Sequence, residues 1–363
     1  MRNFDRIEKW LIILICSTEQ RGSVMAHMIV GVDIAMNVMQ VHWVDPESGE
    51  IVNRSIKRAA FLEYFANRKP CLVGMESCSG SQHWARRLIE MGHRVKLMPA
   101  KFVKAFNIRN KNDAADARAI WMATQMDCRE VAVKSEAQQA ILALHRMRQQ
   151  LVKFRTMQTN SLRGLISEYG EVMGVGRAAL DKAMVGVLER LSGRLPAILI
   201  DTLREQWKGL DDVDRQIGQI ERRMREWMKG DQAVKAIAAI PGVGLLTATA
   251  AVATMGHAKA FKSGREFAAW LGLVPGQTGS GGTIKLQGIS KRGDTYLRTL
   301  LVHGARSIIY RAKEPDLWVE QMKQRRPLNV VIVAMANKLA RIIWAVLAHQ
   351  QPYRKDYVST RPA

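Results

Sequence analysis

From Met28 to Met98 the chain carries five short apolar segments, and their spacing leaves few folds open. Met28–Ile34 (MIVGVDI) is apolar and β-branched, interrupted by Gly31 and Asp33. Asn37–Asp45 (NVMQVHWVD) alternates with period two, and Ile51–Ile56 is a third short candidate. Only tight turns fit at Ala35–Asn37 and Pro46–Gly49, so the fold is expected to open on three antiparallel strands. Cys71–Glu76 (CLVGME) and Arg94–Met98 are strand patterns too, but each follows a helical stretch, Ala59–Asn67 and Gln82–Met91 respectively. A further helix is expected over Asp113–Met126. Its first turn is acidic, which a helix dipole favours.

Three strands, a helix, then strands alternating with helices resembles a ribonuclease H order, here over residues 28–135. Residues 136–230 change character: Pro196 is the sole proline and charges are dense. Leu142, Leu144, Met147, Leu151 and Phe154 lie at helical spacing within Ala137–Ile166. Leu203, Leu210, Val213, Ile217 and Ile220 do so within Pro196–Met228. Pro196 suits the first turn of its helix, where the missing N–H is not needed. Long helices with few breakers predict a helical hairpin or coiled coil. Residues 231–350 form a third, mostly helical region. It contains the turn Ile240-Pro241-Gly242-Val243-Gly244, a glycine-rich loop over Pro275–Gly288 and a final helix over Asn329–Leu347. The expected fold class is therefore α/β plus α, with a basic tail over residues 351–363.

Lys and Arg number 55 against 33 Asp and Glu, a formal net charge of +22. Such an excess repels itself in the compact state and attracts polyanions. The partner this implies is nucleic acid. A membrane is disfavoured, because the apolar run Trp10–Cys16 falls far short of the roughly 20 residues a spanning helix needs. That run does not read as a signal peptide either, with Asp5 and Glu8 ahead of it and no A-x-A-like site after it. Residues 1–27 read instead as an extension, with the folded protein beginning near Met28 and a start at Met25 or Met28. Cys16, Cys71, Cys78 and Cys128 lack C-x-x-C spacing, so they read as reduced thiols and point to the cytoplasm.

In so basic a chain the informative residues are acids in unfavourable places. Asp33 falls inside an apolar strand and Glu76 ends another. A buried carboxylate costs several kcal/mol unless paired or metal-bound. Asp113 and Asp116 are three apart on a helix and share a face. Four carboxylates from two strands and a helix can converge on hard, oxygen-seeking Mg²⁺. Two such ions about 3.5–4 Å apart stabilise both the attacking and leaving oxygens of a phosphodiester. Lys101, Lys104, Arg109, Lys111 and Arg118 would then hold the nucleic-acid backbone. Singly, each acid also reads as a turn former or cap, Asp113 as the N-cap of its helix.

Gly279-Ser280-Gly281-Gly282 sets one small nucleophile among glycines, which let another backbone come close. Lys285, Lys291, Arg292 and Arg298 downstream are candidate phosphate clamps. A serine needs activation to attack phosphorus, and His257 and His303 lie far off in sequence. On pattern alone the segment reads as a flexible hairpin with an exposed serine. Ser290 is a rival nucleophile, though it also reads as the N-cap of the helix through Tyr296. His83 and Trp84, close after Glu76, read as packing residues.

These motifs together resemble a known family. G-V-D-I-A around Asp33, G-M-E-S around Glu76 and N-D-A-A-D-A-R around Asp113 and Asp116 are similar to the DEDD tetrad of IS110-family insertion-sequence transposases, in the IS1111 branch. Downstream, I-P-G-V-G, F-A-A-W-L-G-L-V-P, G-S-G-G and L-Q-G-I-S-K-R-G-D-T-Y-L-R follow in the same order as in that family. The resemblance covers roughly residues 28–350. It implies a RuvC-like nuclease domain, a coiled coil and a C-terminal transposase domain. It implies Mg²⁺ bound by Asp33, Glu76, Asp113 and Asp116, and Ser280 as a nucleophile forming a phosphoserine link to a cut strand. It implies donor and target DNA, a non-coding bridge RNA that pairs with both, a homotetramer or dimer of dimers, and action at the nucleoid. Thr278-Gly279 departs from the expected loop, which leaves Ser290 open.

Three functions compete. An RNA-guided recombinase needs both Asp113 and Ser280. A metal-dependent nuclease or junction resolvase needs only the acids. An architectural nucleic-acid-binding protein, gripping phosphate at the Ile240–Gly244 turn, needs neither.

Overall fold

The computed structural model describes residues 28–107, 112–312 and 316–355. Arg109 and Lys111, the extension over residues 1–27 and most of the basic tail lie outside the described residues. The chain divides into two compact units that meet between Ser135 and Glu136.

The first unit is built on a five-stranded mixed sheet. Its strands are β1 (Ile29–Ile34), β2 (Val38–Val44), β3 (Ile51–Lys57), β4 (Leu72–Glu76) and β5 (Arg94–Met98), in the order β3-β2-β1-β4-β5. β1 pairs antiparallel with β2, Val32 opposite Val41, and parallel with β4, Val32 opposite Met75. The helices are α1 (Phe61–Ala66), α2 (Ser81–Glu90), α3 (Ala100–Lys104) and α4 (Asp113–Thr124). Alternation along the strands divides the sheet's two faces. Val30, Val32, Val73 and Met75 are fully buried against Phe61, Phe65, Trp84 and Leu88 of α1 and α2. Gly31, Asp33, Gly74 and Glu76 have the opposite parity and face α4.

Two glycines let α4 lie close on that second face. A Cβ on Gly31 would stand 2.5 Å from Ala117 O and from Trp121 N. One on Gly74 would overlap Thr124 Oγ1. With no side chain at either position, the helix backbone rests on the sheet and its N-terminus reaches the end of β1.

The second unit is helical. α5 (Glu136–Ser167) and α7 (Ala197–Gly230) are long, and α6 (Arg177–Ser192) lies between them in sequence. Arg148 pairs with Glu221 and Arg155 with Asp214, both at 2.7 Å, while Gln158 meets Gln206. Partner numbers fall along α7 as they rise along α5, so the two helices run antiparallel. Leu162, Ile166, Leu180, Met184, Leu203 and Leu210 form a core where α6 joins them.

The remainder comprises α8 (Gln232–Ala238), α9 (Leu245–Met255), α10 (Gly264–Trp270), the hairpin β6 (Pro275–Ser280) and β7 (Thr283–Ile289), α11 (Thr295–Arg311), α12 (Leu317–Lys323) and α13 (Leu328–His349). α13 is long and apolar enough to cross a membrane, a longer run than Trp10–Cys16. However, Val331, Met335, Leu339 and Ile343 are buried in the core of this unit. His145 joins α5 to that core: Nδ1 stands 2.9 Å from the Tyr296 hydroxyl and Nε2 3.0 Å from Thr249 Oγ1.

Several expectations are corrected. Residues 275–288 are a paired hairpin, not a loop. Residues 177–192, unassigned from sequence, are helical. Pro196 is the N-cap of its helix and not a first-turn residue. The Ile240–Gly244 turn packs tightly within its own unit: a Cβ on Gly242, at φ +80°, would stand 2.8 Å from Gly304 O. That close approach to α11 accounts for the glycines without any phosphate.

Candidate metal centre and serine hairpin

Asp33 sits one residue from the end of β1, and Glu76 ends the parallel neighbour β4. Asp113 and Asp116 occupy the first turn of α4, whose N-cap is Asn112, accepting from Ala115 N at 2.8 Å. Asp113 is therefore not the cap, and its carboxylate is left for other work. The carboxylate oxygens of Asp33, Asp113 and Asp116 lie within 4.8 Å of one another. Glu76 stands outside that group, though its charge is felt within it. Burial first, then the charges of Asp116, Asp113 and Glu76, push the Asp33 carboxyl up to about 6.

Neighbouring amides fix this arrangement. Asn107 Nδ2 donates to Asp116 Oδ1. Asn53 on β3 donates to Ala114 O at 2.9 Å and lies 3.1 Å from His42 Nδ1, while its Oδ1 accepts from Gln40 Nε2 at 2.5 Å. His42 is buried, and desolvation, helped by the Arg118 charge, pushes it down to about 4. It is therefore neutral, and its Nδ1 accepts from Asn53. Arg118 lies half-buried on α4, one turn beyond Asp113, and Lys101 and Lys104 are exposed on α3.

Three carboxylates crowded around a half-buried Asp33 offer only hard oxygen donors, the set a divalent cation of the Mg²⁺ or Ca²⁺ kind takes. The repulsion that raises Asp33 is relieved by such a cation. The donors present therefore fit a divalent metal.

In the second unit, Ser280 is the last residue of β6 and is exposed. Gly281 and Gly282 follow at φ +58° and +80°. Positive φ at both central residues makes a two-residue hairpin turn of the primed kind, which glycine suits. A Cβ on Gly279 would overlap Thr283 O, so that glycine is needed for the strands to close. Lys285, Lys291 and Arg292 are exposed around the hairpin.

Arg298 is not an exposed clamp. It is 8% exposed and donates to Leu271 O and Arg292 O at 2.8 Å, tying the base of the hairpin to α11. Nor does Ser290 cap α11: Asp294 does, accepting from Leu297 N at 2.8 Å. Ser290 N donates to Val274 O at 2.8 Å, closing the foot of the hairpin.

Sequence reasoning missed Asn53, Asn107 and the two sheet glycines. Gly31 and Gly74 carry a signal, since each sits two residues before an acid in an apolar strand. An exposed Asn on an edge strand carries none.

Two family models match the chain. A DEDD transposase model of the IS110 type covers residues 30–171, and one described as the transposase IS116/IS110/IS902 family covers residues 234–318. A probable family 20 transposase of Pseudomonas aeruginosa is 43% identical over 90% of this chain and 98% of its own length. The transposase for insertion sequence element IS1111A of Coxiella burnetii is 37% identical over 93% of this chain and 94% of its own. The transposase for insertion sequence element IS1328 of Yersinia enterocolitica is 36% identical over 90% and 98%. The DEDD transposase domain implies divalent metal use and DNA substrates, and the acidic cluster is a donor set suited to such a metal. With relatives this similar along nine-tenths of its length, the chain belongs to the IS116/IS110/IS902 family of transposases and is a DNA transposase.

Proposed function

We propose that this transposase cuts DNA at a Mg²⁺ site held by Asp33, Asp113, Asp116 and Glu76, and that Ser280 takes the cut strand as a phosphoserine. The observation that carries this reading is the convergence of Asp33 with Asp113 and Asp116. The strand order, with β2 antiparallel to its neighbours, supports a ribonuclease H-like, RuvC-type domain over residues 28–135. The antiparallel pairing of α5 and α7 supports a coiled-coil hairpin over 136–230, followed by a C-terminal transposase domain over 231–350.

Bound there, Mg²⁺ would supply Lewis-acid activation of the phosphodiester. Asp33, Asp113 and Asp116 would hold it, with Glu76 beside them. Asn107 and Asn53 would keep α4 and its acids in place. Arg118, Lys101 and Lys104 would bind flanking phosphates, as would Arg109 and Lys111. Lys285, Lys291 and Arg292 would do so at the hairpin, where the glycine turn leaves Ser280 open to a DNA backbone. When Ser280 Oγ bonds to phosphorus, the bond from phosphorus to a sugar oxygen breaks. The serine proton is lost, and the released sugar oxygen gains one.

A bridge RNA pairing with donor and target DNA would specify the sites, while the protein reads backbone and shape. In a homotetramer or dimer of dimers, the serine of one protomer would serve the carboxylates of another. The nucleoid is where such a protein would act.

The test uses the full chain, co-expressed with its element's flanking non-coding DNA and incubated with Mg²⁺ and labelled donor and target. Label migrating with the denatured protein and vanishing in Ser280→Ala supports the serine step. Nicks that vanish in Asp113→Ala, with no protein-bound label in the wild type, leave a metal-dependent nuclease and overturn it. Label retained in Ser280→Ala moves the nucleophile, with Ser290 next to be tested.

A further inference from the structure

The acidic cluster is not the only built feature at its end of the sheet. β1 and β4 finish there, at Ile34 and Glu76, where β2 begins at Val38 and β3 ends at Lys57. Val38 and Lys57 are paired across those last two strands. On the face covered by α1 and α2, this end opens into a hollow of about 750 Å³ lined by Asn37, Val38, Lys57, Arg58, Leu62 and Trp84. That volume falls within the ~300–1,000 Å³ typical of small-ligand sites.

Its chemistry is mixed in a specific way. Val38, Leu62 and Trp84 give apolar walls, whereas Lys57 and Arg58 are exposed cations. The Arg58 guanidinium lies 4.9 Å above the Trp84 ring and donates to Met36 O at 3.3 Å. It is therefore held in one orientation before any ligand arrives. Trp84 is 5% exposed, and its Nε1–H is buried with no acceptor among the described residues. An unpaired buried donor is costly, about 1–3 kcal/mol. Met36, in the turn joining β1 to β2, is 83% exposed, an apolar side chain left at the rim.

We propose that this hollow binds one unpaired nucleotide of the DNA strand being cut, its phosphate on Lys57 and Arg58 and its base against Leu62 and Trp84. This rests on the reading of Asp33, Asp113 and Asp116 as the cutting site, because both features share one end of the sheet. Strand cutting in a duplex requires local opening, and an aromatic-and-cation hollow takes an unstacked base of any sequence. A duplex cannot place a base there, since its bases are stacked and paired.

The test uses the full chain without divalent metal, so that binding is read apart from cutting. Labelled single-stranded DNA carrying 5-iodouracil, the same strand in a duplex, and its RNA counterpart are titrated and irradiated. The expected adduct maps to residues 57–62 or Trp84 with the single DNA strand and is absent with the duplex. Lys57→Ala/Arg58→Ala weakens single-strand affinity at least about fivefold and lowers the log–log salt slope by about 1–1.5, at ~0.7 per phosphate contact. Trp84→Phe, which keeps a ring in the core, retains the adduct if the base is held by stacking. Adducts confined elsewhere, or unchanged affinity in the Lys57/Arg58 variant, overturn the proposal. RNA crosslinking at this site in preference to DNA overturns the choice of strand. Cutting with Mg²⁺ that depends on Asp113 without an adduct here removes the hollow and leaves the cutting site. An adduct here with cutting indifferent to Asp113 does the reverse.

Discussion

Asn53 Nδ2 donates to Ala114 O across 2.9 Å, a bond that ties β3 to the first turn of the helix carrying Asp113 and Asp116. The same side chain meets His42 and Gln40, so one amide links two strands and the helix start. Asn53 touches none of the carboxylates; it positions them. Asn53→Ala is expected to weaken divalent-metal affinity about tenfold, the scale seen when an outer partner of a metal ligand is lost. Its fold stability should fall by only about 1 kcal/mol, as for one exposed hydrogen bond. Calorimetric metal titration alongside thermal denaturation checks both. Equal loss in the two readings would make Asn53 merely structural.

The closeness of α4 to the sheet gives a second expectation. Gly74→Ala drives a Cβ into Thr124 Oγ1, and overpacking of this kind costs about 1–3 kcal/mol. Thr124→Ala removes that atom, so the double variant should recover much of the loss. Gly31→Ala meets Ala117 O and Trp121 N, which are backbone, and no side-chain change can relieve it. Thermal unfolding of the four proteins measures this, with recovery expected at residue 74 and none at residue 31. Metal affinity should track stability in the series, because the same helix carries Asp113 and Asp116.

Much of this was legible in the chain. An acid in an apolar strand is costly enough to be conspicuous, which is why Asp33 and Glu76 stand out, and period-two alternation places both on one face. The helix over Asp113–Thr124 follows from its acidic first turn. What escaped depends on distant partners. Arg298 looks like a phosphate clamp until the carbonyls of Leu271 and Arg292, brought together by the fold, claim its guanidinium. The hairpin at Ser280 looks like a loop because its strands are rich in glycine and exposed, so no apolar face announces them. α6 has a regular stripe at Leu180, Met184, Val187 and Leu191, but Gly170, Gly174, Gly176 and Gly193 frame it as irregular chain. Trp84 reads as packing, and it does pack on Phe61, with ring centroids 5.1 Å apart. Only its unpaired Nε1–H distinguishes it from an ordinary core residue.

The raised carboxyl of Asp33 makes metal-free stability depend on pH. Its value in the fold, about 6, lies above the ordinary 3.8. Ionisation is therefore costlier folded than unfolded. The group favours folding below pH 3.8, and that contribution is lost as pH rises through 6. Asp33→Asn removes the penalty, so at pH 7.5 without metal the variant should melt higher than the wild type. Because Asp33 is only half-buried, solvent screening reduces the gain to about 1 kcal/mol, or about 2–4 °C. The advantage should disappear near pH 4. Adding Mg²⁺ should raise the wild-type melting temperature and leave the variant nearly unmoved. A variant that melts lower at pH 7.5 would show that Asp33 is not strained by its neighbours.

His145 predicts the opposite trend in the second unit. Burial, with the Arg148 charge, pushes it down to about 4 from the ordinary 6.5. Neutral in the fold, it lies within hydrogen-bonding reach of Tyr296 and Thr249 and couples α5 to α11 and α9. Its contribution is fully present above pH 6.5 and is lost as pH falls through 4, because the unfolded chain takes the proton first. By pH 5 the loss should reach about 1–2 kcal/mol, one pH unit being worth about 1.4 kcal/mol for one proton. His145→Gln keeps hydrogen-bonding groups but cannot titrate. It should be less stable at pH 7.5, yet the gap to the wild type should narrow between pH 6.5 and 5. Since Asp33 titrates the other way in both proteins, the difference between wild type and variant isolates His145. Parallel stability curves across that window would mean that His145 is already protonated in the fold, and that another pair holds α5 against α11.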